Sequence, residues 1–346
     1  MAKGTVRRWL RHLSSLLFPA LTLGFVATGP HHPAAALPGI LLVALVVVLD
    51  GRAGPARAAP DANAATWPFT ALAVTLALMQ LVTLALLVRM VAVGGWSWGL
   101  IVVGWFVGNN SGWGSLVVAH ELIHRRQRPL RWLGRALLCT VLYDHFFVEH
   151  LRGHHVRVAT ADDPATARFG ESYQAFFVRT VPAQFRSAWR LGRRDVLAGL
   201  VVEAALVAAI AVVAGWPGVV VFFWQAYGAI SVLEAVNYFE HWGLVRQGAR
   251  PGPRDAWDTD SWLTLYTLIG LSRHADHHAH AARPFERLRA LDESPKLPGG
   301  YYAMVTLAQM RNATFRARMT DELRRRRLGP FTLALSDEDG QTPRIS

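Results

Sequence analysis

Six stretches of the chain are apolar on every face, without the regular polar positions that a surface helix of a soluble protein shows. They cover about residues 13–28, 34–49, 67–88, 96–119, 196–214 and 219–236. A helical pass through roughly 30 Å of hydrocarbon takes about 20 residues, so the second stretch is short and the others suffice. Gly29, Pro30, Pro33 and Pro38 punctuate the turn between the first two, and Gly215-Trp216-Pro217-Gly218 the turn between the last two. Residues 50–65 read as a polar linker rich in Ala, Gly and Pro. Asn109, Asn110 and Ser111 interrupt the fourth stretch, and polar groups at that depth are expected to face the protein interior. The pattern predicts an all-α integral membrane protein, a single domain over 1–346 with six transmembrane helices.

The basic residues orient it. Lys3, Arg7, Arg8 and Arg11 precede the first stretch, Arg52 and Arg57 follow the second, and arginines crowd the segments after the fourth and sixth. By the positive-inside rule these regions are cytoplasmic. Ala34–Ala36 resembles a signal-peptidase site, but the apolar stretches beyond it favour a retained first helix. The expected arrangement is a multi-pass protein of a bacterial-type inner (plasma) membrane with both termini cytoplasmic. Segments 120–195 and 237–335 would form a cytoplasmic helical cap, and 336–346 a disordered tail.

Composition agrees: 52% of residues are hydrophobic and 17% charged, against about 25% charged in a typical soluble domain. The net charge of +12 makes either a solvated cytoplasmic face or a docking surface for an acidic partner. No nucleic-acid-binding module frames the arginines. With Cys139 as its one cysteine, the chain can build neither a disulfide nor a four-cysteine iron site, so any iron–sulfur or rubredoxin-like electron carrier must be another protein.

Nine of the 14 histidines fall in four clusters on the expected cytoplasmic side. These are His120 and His124, four apart in His-Glu-Leu-Ile-His; His150, His154 and His155; His241; and His274, His277 and His278. Residues four apart share a helix face, so His120 with His124, and His150 with His154, can each reach one metal. Nine imidazoles exceed the ligand capacity of one ion and suit two. Imidazole serves iron, copper, nickel and zinc. Iron beneath apolar helices points to oxygen activation next to a lipid-like substrate. Each cluster carries an acid, Glu121, Glu149, Glu240 or Asp276, suited to orient a ligand imidazole through its second N–H; the alternative is pairing with nearby arginines. His120-Glu121-x-x-His124 also matches the zinc-protease motif, with Glu121 as base, but that chemistry leaves most of the histidines idle. His145 suits packing or an outer role, His280 exposure, and His12, His31 and His32 look incidental.

At these residues the chain resembles the alkane 1-monooxygenase (alkane ω-hydroxylase) family of the membrane desaturase and hydroxylase superfamily. The resemblance lies in His-Glu-Leu-Ile-His-Arg at 120–125, Glu-His-Leu-Arg-Gly-His-His-Val-Arg-Val-Ala-Thr at 149–160 and Asp-Pro-Ala-Thr-Ala-Arg at 163–168. It continues in Asn-Tyr-Phe-Glu-His-Trp-Gly-Leu at 237–244, Arg-His-Ala-Asp-His-His-Ala at 273–279 and Ser-Pro-Lys-Leu-Pro-Gly-Gly-Tyr at 294–301. It implies that the nine histidines hold two iron ions, with no flavin or haem in this chain. It further implies that rubredoxin and rubredoxin reductase supply electrons, and that O2 hydroxylates a terminal C–H of an alkane or alkyl chain. Trp242 stands where the family usually has Tyr, and the chain is shorter at its N-terminal end. Desaturation or decarboxylation of a fatty acid and hydroxylation of an aryl methyl group stay open as outcomes. A histidine-rich membrane metal carrier is the reading from another class; it would place ligands at mid-membrane depth.

Overall fold

The computed structural model describes residues 3–56, 60 and 65–332. Arg57 and the tail expected from 336 lie outside these. Among the described residues there is no strand, only two isolated bridges, Pro55 with Ser261 and Asp258 with Lys296. The helices are α1 (Lys3–His12), α2 (Leu17–Ala27), α3 (Leu37–Asp50), α4 (Trp67–Gly94), α5 (Gly99–Asn110), α6 (Val117–Ile123) and α7 (Arg128–Cys139). They continue as α8 (His145–Glu149), α9 (His155–Arg157), α10 (Tyr173–His241), α11 (Trp262–Thr267), α12 (His274–Ala279), α13 (Tyr301–Met310) and α14 (Asn312–Arg326).

Among the described residues, three helical segments are long and apolar enough to cross a membrane: Gly4–Ala27, Trp67–Gly94 and Tyr173–His241; Ala34–Asp50 is a shorter apolar helix. The fifth and sixth expected stretches belong to one helix, α10, bent where Gly192 and Gly215 leave helical dihedrals. Gly215 has φ 62°, a left-handed conformation that glycine adopts without the Cβ clash of other residues. The fourth stretch is continuous, because a π-helical turn, Ser111–Leu116, joins α5 to α6.

The surface of these helices is hydrocarbon. Ile40, Leu41, Leu45, Val48, Val201 and Val212 are exposed, a pattern suited to lipid as solvent. Trp96 packs on Trp98 and Trp216, with ring centroids 5.8 and 5.0 Å apart, where α4, α5 and the Gly215 bend end together. Such a tryptophan cluster suits a membrane–water boundary.

Inside, α5 and the π turn press on the last part of α10. A Cβ on Gly108 would lie 2.6 Å from the Gln225 carbonyl oxygen, and one on Gly112 2.6 Å from the Val232 Cβ. Small residues let the backbones approach this closely. Two of the three polar residues that interrupt the fourth stretch face inward: Gln80 Nε2 donates to Ser111 Oγ (2.7 Å), and Asn110 Nδ2 donates to Gln80 Oε1 (3.1 Å), whereas Asn109 is only half-buried and donates back to the Trp105 carbonyl of its own helix (2.9 Å). Asp50, expected to open a solvated linker, is buried instead. It accepts from Ser261 Oγ (2.6 Å), Thr264 Oγ1 (2.8 Å) and the Tyr302 amide (2.9 Å), fastening α11 and α13 to the end of α3. Glu234 ties α10 to the segment before α8, accepting from Tyr143 Oη (2.8 Å) and Gln184 Nε2 (2.9 Å).

Gly108→Val should push α5 off α10 and cost about 1–3 kcal/mol, the usual penalty of overpacking. A lowered thermal midpoint in detergent checks this; an unchanged midpoint counts against the close helix approach.

Candidate metal centre

The four histidine clusters, far apart in sequence, meet. His120 lies in the last turn of α6 and His124 directly follows it. His150 and His154 bound a π turn, His150–His154, that runs into α9 at His155. His241 ends α10, and α12 carries His274, His277 and His278. The nine form two groups, His120, His124, His150, His155 and His277 in one, and His154, His241, His274 and His278 in the other, with the nitrogens of each group within 4.8 Å of one another. The groups adjoin, since the His155 and His278 ring centroids are 4.6 Å apart.

The π turn decides which histidine joins which group. An α-helix would put His150 over His154, as the spacing suggests. The wider turn instead brings the His150 and His155 Nε2 atoms to 3.0 Å and sends His154 to the other group. Gly153 permits this path: a Cβ there would lie 2.5 Å from both Arg157 Nη2 and Glu149 Oε1. In α12, ordinary i,i+4 spacing holds the His274 and His278 Nε2 atoms 2.9 Å apart.

The nitrogens approach as ligands of one cation do. Nε2 separations are 2.9 Å for His124–His150, 3.1 Å for His155–His277 and 3.2 Å for His241–His274. Two ligands about 2.1 Å from an ion stand about 3.0 Å apart at a right angle and about 3.4 Å at the tetrahedral angle. The observed separations match right angles, and a group of five exceeds a tetrahedral shell. In the remaining two histidines, His120 and His154, Nε2 is buried with no hydrogen-bond partner. A cation is the partner that satisfies such lone pairs. Burial, and then the neighbouring imidazoles, push His150, His155, His274, His277 and His278 well below the ordinary imidazole range, so these rings are neutral and free to ligate.

Around the rings, His154 Nδ1 is 2.9 Å from Asp163 Oδ2, and His241 Nδ1 is 3.3 Å from the Asp255 carbonyl oxygen. Burial alone would raise the Asp163 carboxyl, but His154 and the Thr166 hydroxyl hold it below the usual carboxylate range. Of the four acids singled out by sequence, Glu240 lies beside a cluster histidine, His274, at 3.3 Å, and accepts from Tyr301 Oη at 2.6 Å. The other three pair with arginines: Glu121 with Arg125 (2.7 Å), Glu149 with Arg157 (2.8 Å) and Asp276 with Arg283 (2.6 Å). Glu121 is thereby tied up in an ion pair rather than free to serve as a protease base. Asp163 and Asp258 were not singled out. Asp258 accepts from the Ala275 amide at 2.8 Å and so anchors the start of α12. The available signal for Asp163 was the Asp-Pro-Ala-Thr string nine residues after His154, which folds as a turn with the Ala165 amide donating to Asp163 Oδ1 (3.1 Å).

His145 is outside both groups, packed on Tyr143 and Phe185. His280 contacts Asp276 at 3.1 Å with half its side chain exposed. His12 is buried among Phe69, Tyr266 and Phe285. His31 lies 2.9 Å from Thr28, and His32 Nδ1 accepts from the Ala34 amide. Trp242 is buried and donates to the Glu171 carbonyl at 3.0 Å.

Three narrow cavities line up between the outer helices and the cage. One touches the histidines, with Val117, His120, Ile269, His274, His277 and Phe285 in its wall. The second shares Val117 and Ile269 with it and adds Leu76, Trp113 and Tyr302. The third, about 40 Å³, shares Phe18, Trp113 and Tyr302 with the second and reaches Val43, Phe106 and Asn110. On the water side, Arg157, Arg168, Arg179, Arg186 and Arg190 line a surface groove of about 270 Å³.

The fatty acid desaturase family model matches residues 95–308. Alkane 1-monooxygenase 1 of Pseudomonas aeruginosa is 37% identical over 240 residues, covering 63% of each chain. Alkane 1-monooxygenase 2 of the same organism is 35% identical over 259 residues, 66% of this chain and 69% of the relative. Alkane 1-monooxygenase 2 of Alcanivorax borkumensis is 36% identical over 228 residues, 60% of each. The chain thus spans from 60% to 69% of the length of these relatives.

Asp163→Asn should weaken metal binding about 10- to 100-fold, the usual effect of removing a ligand histidine's outer partner. Metal titration of the apoprotein checks this; wild-type affinity would show that the His154–Asp163 contact serves folding alone.

Proposed function

The chain belongs to the fatty acid desaturase family and shares its similarity with the alkane 1-monooxygenases; on that premise we propose that it is a membrane di-iron monooxygenase that hydroxylates the terminal C–H of an alkane or alkyl chain. The observation that carries this reading is the convergence of nine imidazoles, six buried and three half-buried, in groups of five and four, at the inner end of an apolar line of cavities.

In the membrane, six passes are formed by α1–α2, α3, α4, the continuous helix from α5 to α6, and the two parts of α10 on either side of Gly215. Both termini and the histidines then face the cytoplasm, with the Trp96–Trp98–Trp216 cluster at the opposite boundary. The cage stands at helix ends, as an oxygenase facing both lipid and an electron donor requires; a carrier would hold its ligands at mid-depth.

One iron would be held by His120, His124, His150, His155 and His277, the other by His154, His241, His274 and His278. The pair would supply the activation of O2 that side chains cannot perform. One oxygen atom enters the C–H bond and the other leaves as water, with two electrons and two protons consumed. The chain's own residues do the rest. Val117, Ile269, Leu271, Phe285 and Leu288 wall the cavity beside His120, His274 and His277. They exclude water and hold an apolar terminus against the cage. Trp113 and Tyr302, with ring centroids 4.6 Å apart, narrow the route farther out, so a thin unbranched chain fits best. Asp163 and the Asp255 carbonyl hold His154 and His241 in the tautomer that presents Nε2.

Electrons come from a separate protein, rubredoxin with its reductase, docked on the arginine groove. Arg186 and Arg190 are exposed there, on the helix that packs beside Arg157, two residues past the ligand His155. An acidic donor would be steered to this face.

The protein purified into nanodiscs and loaded with ferrous iron should bind two iron ions. With reduced rubredoxin and ¹⁸O2 it should convert n-decane to 1-decanol carrying one labelled oxygen. An alkene as the main product, or no oxygen uptake by the iron-loaded protein, would overturn the reading. Replacing Arg186 and Arg190 together with Glu should raise the KM for rubredoxin about tenfold at low salt, in line with loss of electrostatic steering.

A further inference from the structure

The polarity of a buried hydrogen-bond chain leaves one acceptor without a partner, on a residue that lines the outermost cavity. From it we propose that Asn110 is a binding point for a hydroxyl at the far end of the substrate, so that the passage favours primary alcohols over bare hydrocarbons. The proposal rests on the function given above, since it takes the line of cavities as the substrate's route.

The chain of bonds begins at the Thr140 carbonyl, which can only accept. Gln225 Nε2 donates to it at 2.8 Å. Gln225 therefore turns its Oε1 to Ser111, whose hydroxyl lies 3.0 Å away. Ser111 Oγ accepts from Gln80 Nε2 at 2.7 Å, and Gln80 Oε1 accepts from Asn110 Nδ2 at 3.1 Å. Flipping the Asn110 amide alone would set two carbonyls face to face at Gln80. Flipping every amide would set the Gln225 carbonyl against that of Thr140. The Val107 carbonyl, a second acceptor 3.0 Å from Ser111 Oγ, leaves this order intact, because Thr140 still orients Gln225. Asn110 Oδ1 is thus left over, buried and with no hydrogen-bond partner.

Asn110 is 6% exposed and lines the cavity with Phe18, Thr22, Phe106, Asn109 and Trp113. A buried acceptor without a donor is costly, and more so in a hydrocarbon setting. A ligand hydroxyl placed there removes the cost, whereas a methyl group leaves it and a carboxylate faces it oxygen to oxygen. The geometry also sets a length. From Asn110 to His120 is ten residues of continuous helix, and because Ser111–Leu116 is a wider π turn the rise stays below the roughly 15 Å of an all-α path, a span that a linear chain of roughly ten carbons covers. A primary alcohol held at Asn110 presents its methyl end to the cage. The methyl C–H takes up one atom of O2 and the other leaves as water, with two electrons from the reduced donor protein and two protons, giving an α,ω-diol.

The test compares 1-decanol, n-decane and 1-fluorodecane, the last similar in length to decanol but without an O–H, in nanodiscs with the redox partners. In Asn110→Leu the kcat/KM ratio of 1-decanol to n-decane should fall about tenfold from its wild-type value, the worth of one hydrogen bond. The ratio of 1-fluorodecane to n-decane should stay the same. Comparing ratios between variants cancels partitioning of each substrate into lipid. An unchanged decanol ratio overturns the proposal. A second readout needs neither turnover nor the variant. At equal membrane concentration, 1-decanol should raise the wild-type thermal midpoint more than 1-fluorodecane does. Equal stabilisation would mean that an ordered water satisfies Asn110, and would also overturn it. If n-decane itself is not oxidised while the stabilisation by 1-decanol is found, the oxygenase reading fails and the hydroxyl site stands.

Discussion

Nine imidazoles from four separate stretches of chain converge so that the ring nitrogens of each of two groups lie close enough to share one cation. Nε2 atoms approach one another to 2.9–3.2 Å, and two of the nine rings have a buried Nε2 with no hydrogen-bond partner. The segments around them serve to hold this arrangement. Asp258 anchors the start of α12, Asp163 and the Asp255 carbonyl orient the rings of His154 and His241, and Asp50 secures α11 and α13. Ion pairs with arginine keep Glu121, Glu149 and Asp276 out of the cage.

Helical register is the second determinant. Four-residue spacing puts two side chains on one face of an α-helix, and His274 with His278 obeys this rule. The π turn at His150–His154 breaks it, pairing His150 with His155 and freeing His154 for the second group. Without that turn one stretch of chain could not serve both groups. The π turn at Ser111–Leu116 has a parallel effect in the membrane, carrying α5 into α6 without a break while Asn110 and Ser111 face inward. Both fit the general tendency of π turns to occur at functional sites.

The membrane part answers a different constraint. Lipid offers no hydrogen bonds, so polar side chains at depth must find one another. Gln80, Asn110, Ser111 and Gln225 do so in a line that starts at a backbone carbonyl, and glycines let the helices approach closely enough to make it. The same close packing leaves only narrow voids beside Trp113 and Tyr302, so the route toward the cage is defined by a few aromatic rings.

Much of this was legible in the sequence because it depends on local pattern. Long apolar runs, the Gly215 turn, inward-facing Asn110 and Ser111, and all nine cage histidines follow from residue type and spacing, which a helix converts directly into position. What could not be read depends on which surfaces meet. The partition of the histidines into five and four turns on a π turn whose extra backbone residue leaves no mark in the spacing of side chains. Asp163 serves His154 only because a loop folds back nine residues later, and Asp50 changes from linker to anchor only because α11 and α13 dock on it. The split of the acids between histidine and arginine was equally hidden, since each carboxylate had both within reach along the chain and packing alone selected the partner. Sequence determined which groups were present and on which helix face; tertiary contact decided which of them paired, because pairing energies depend on distances between segments that sequence order does not encode.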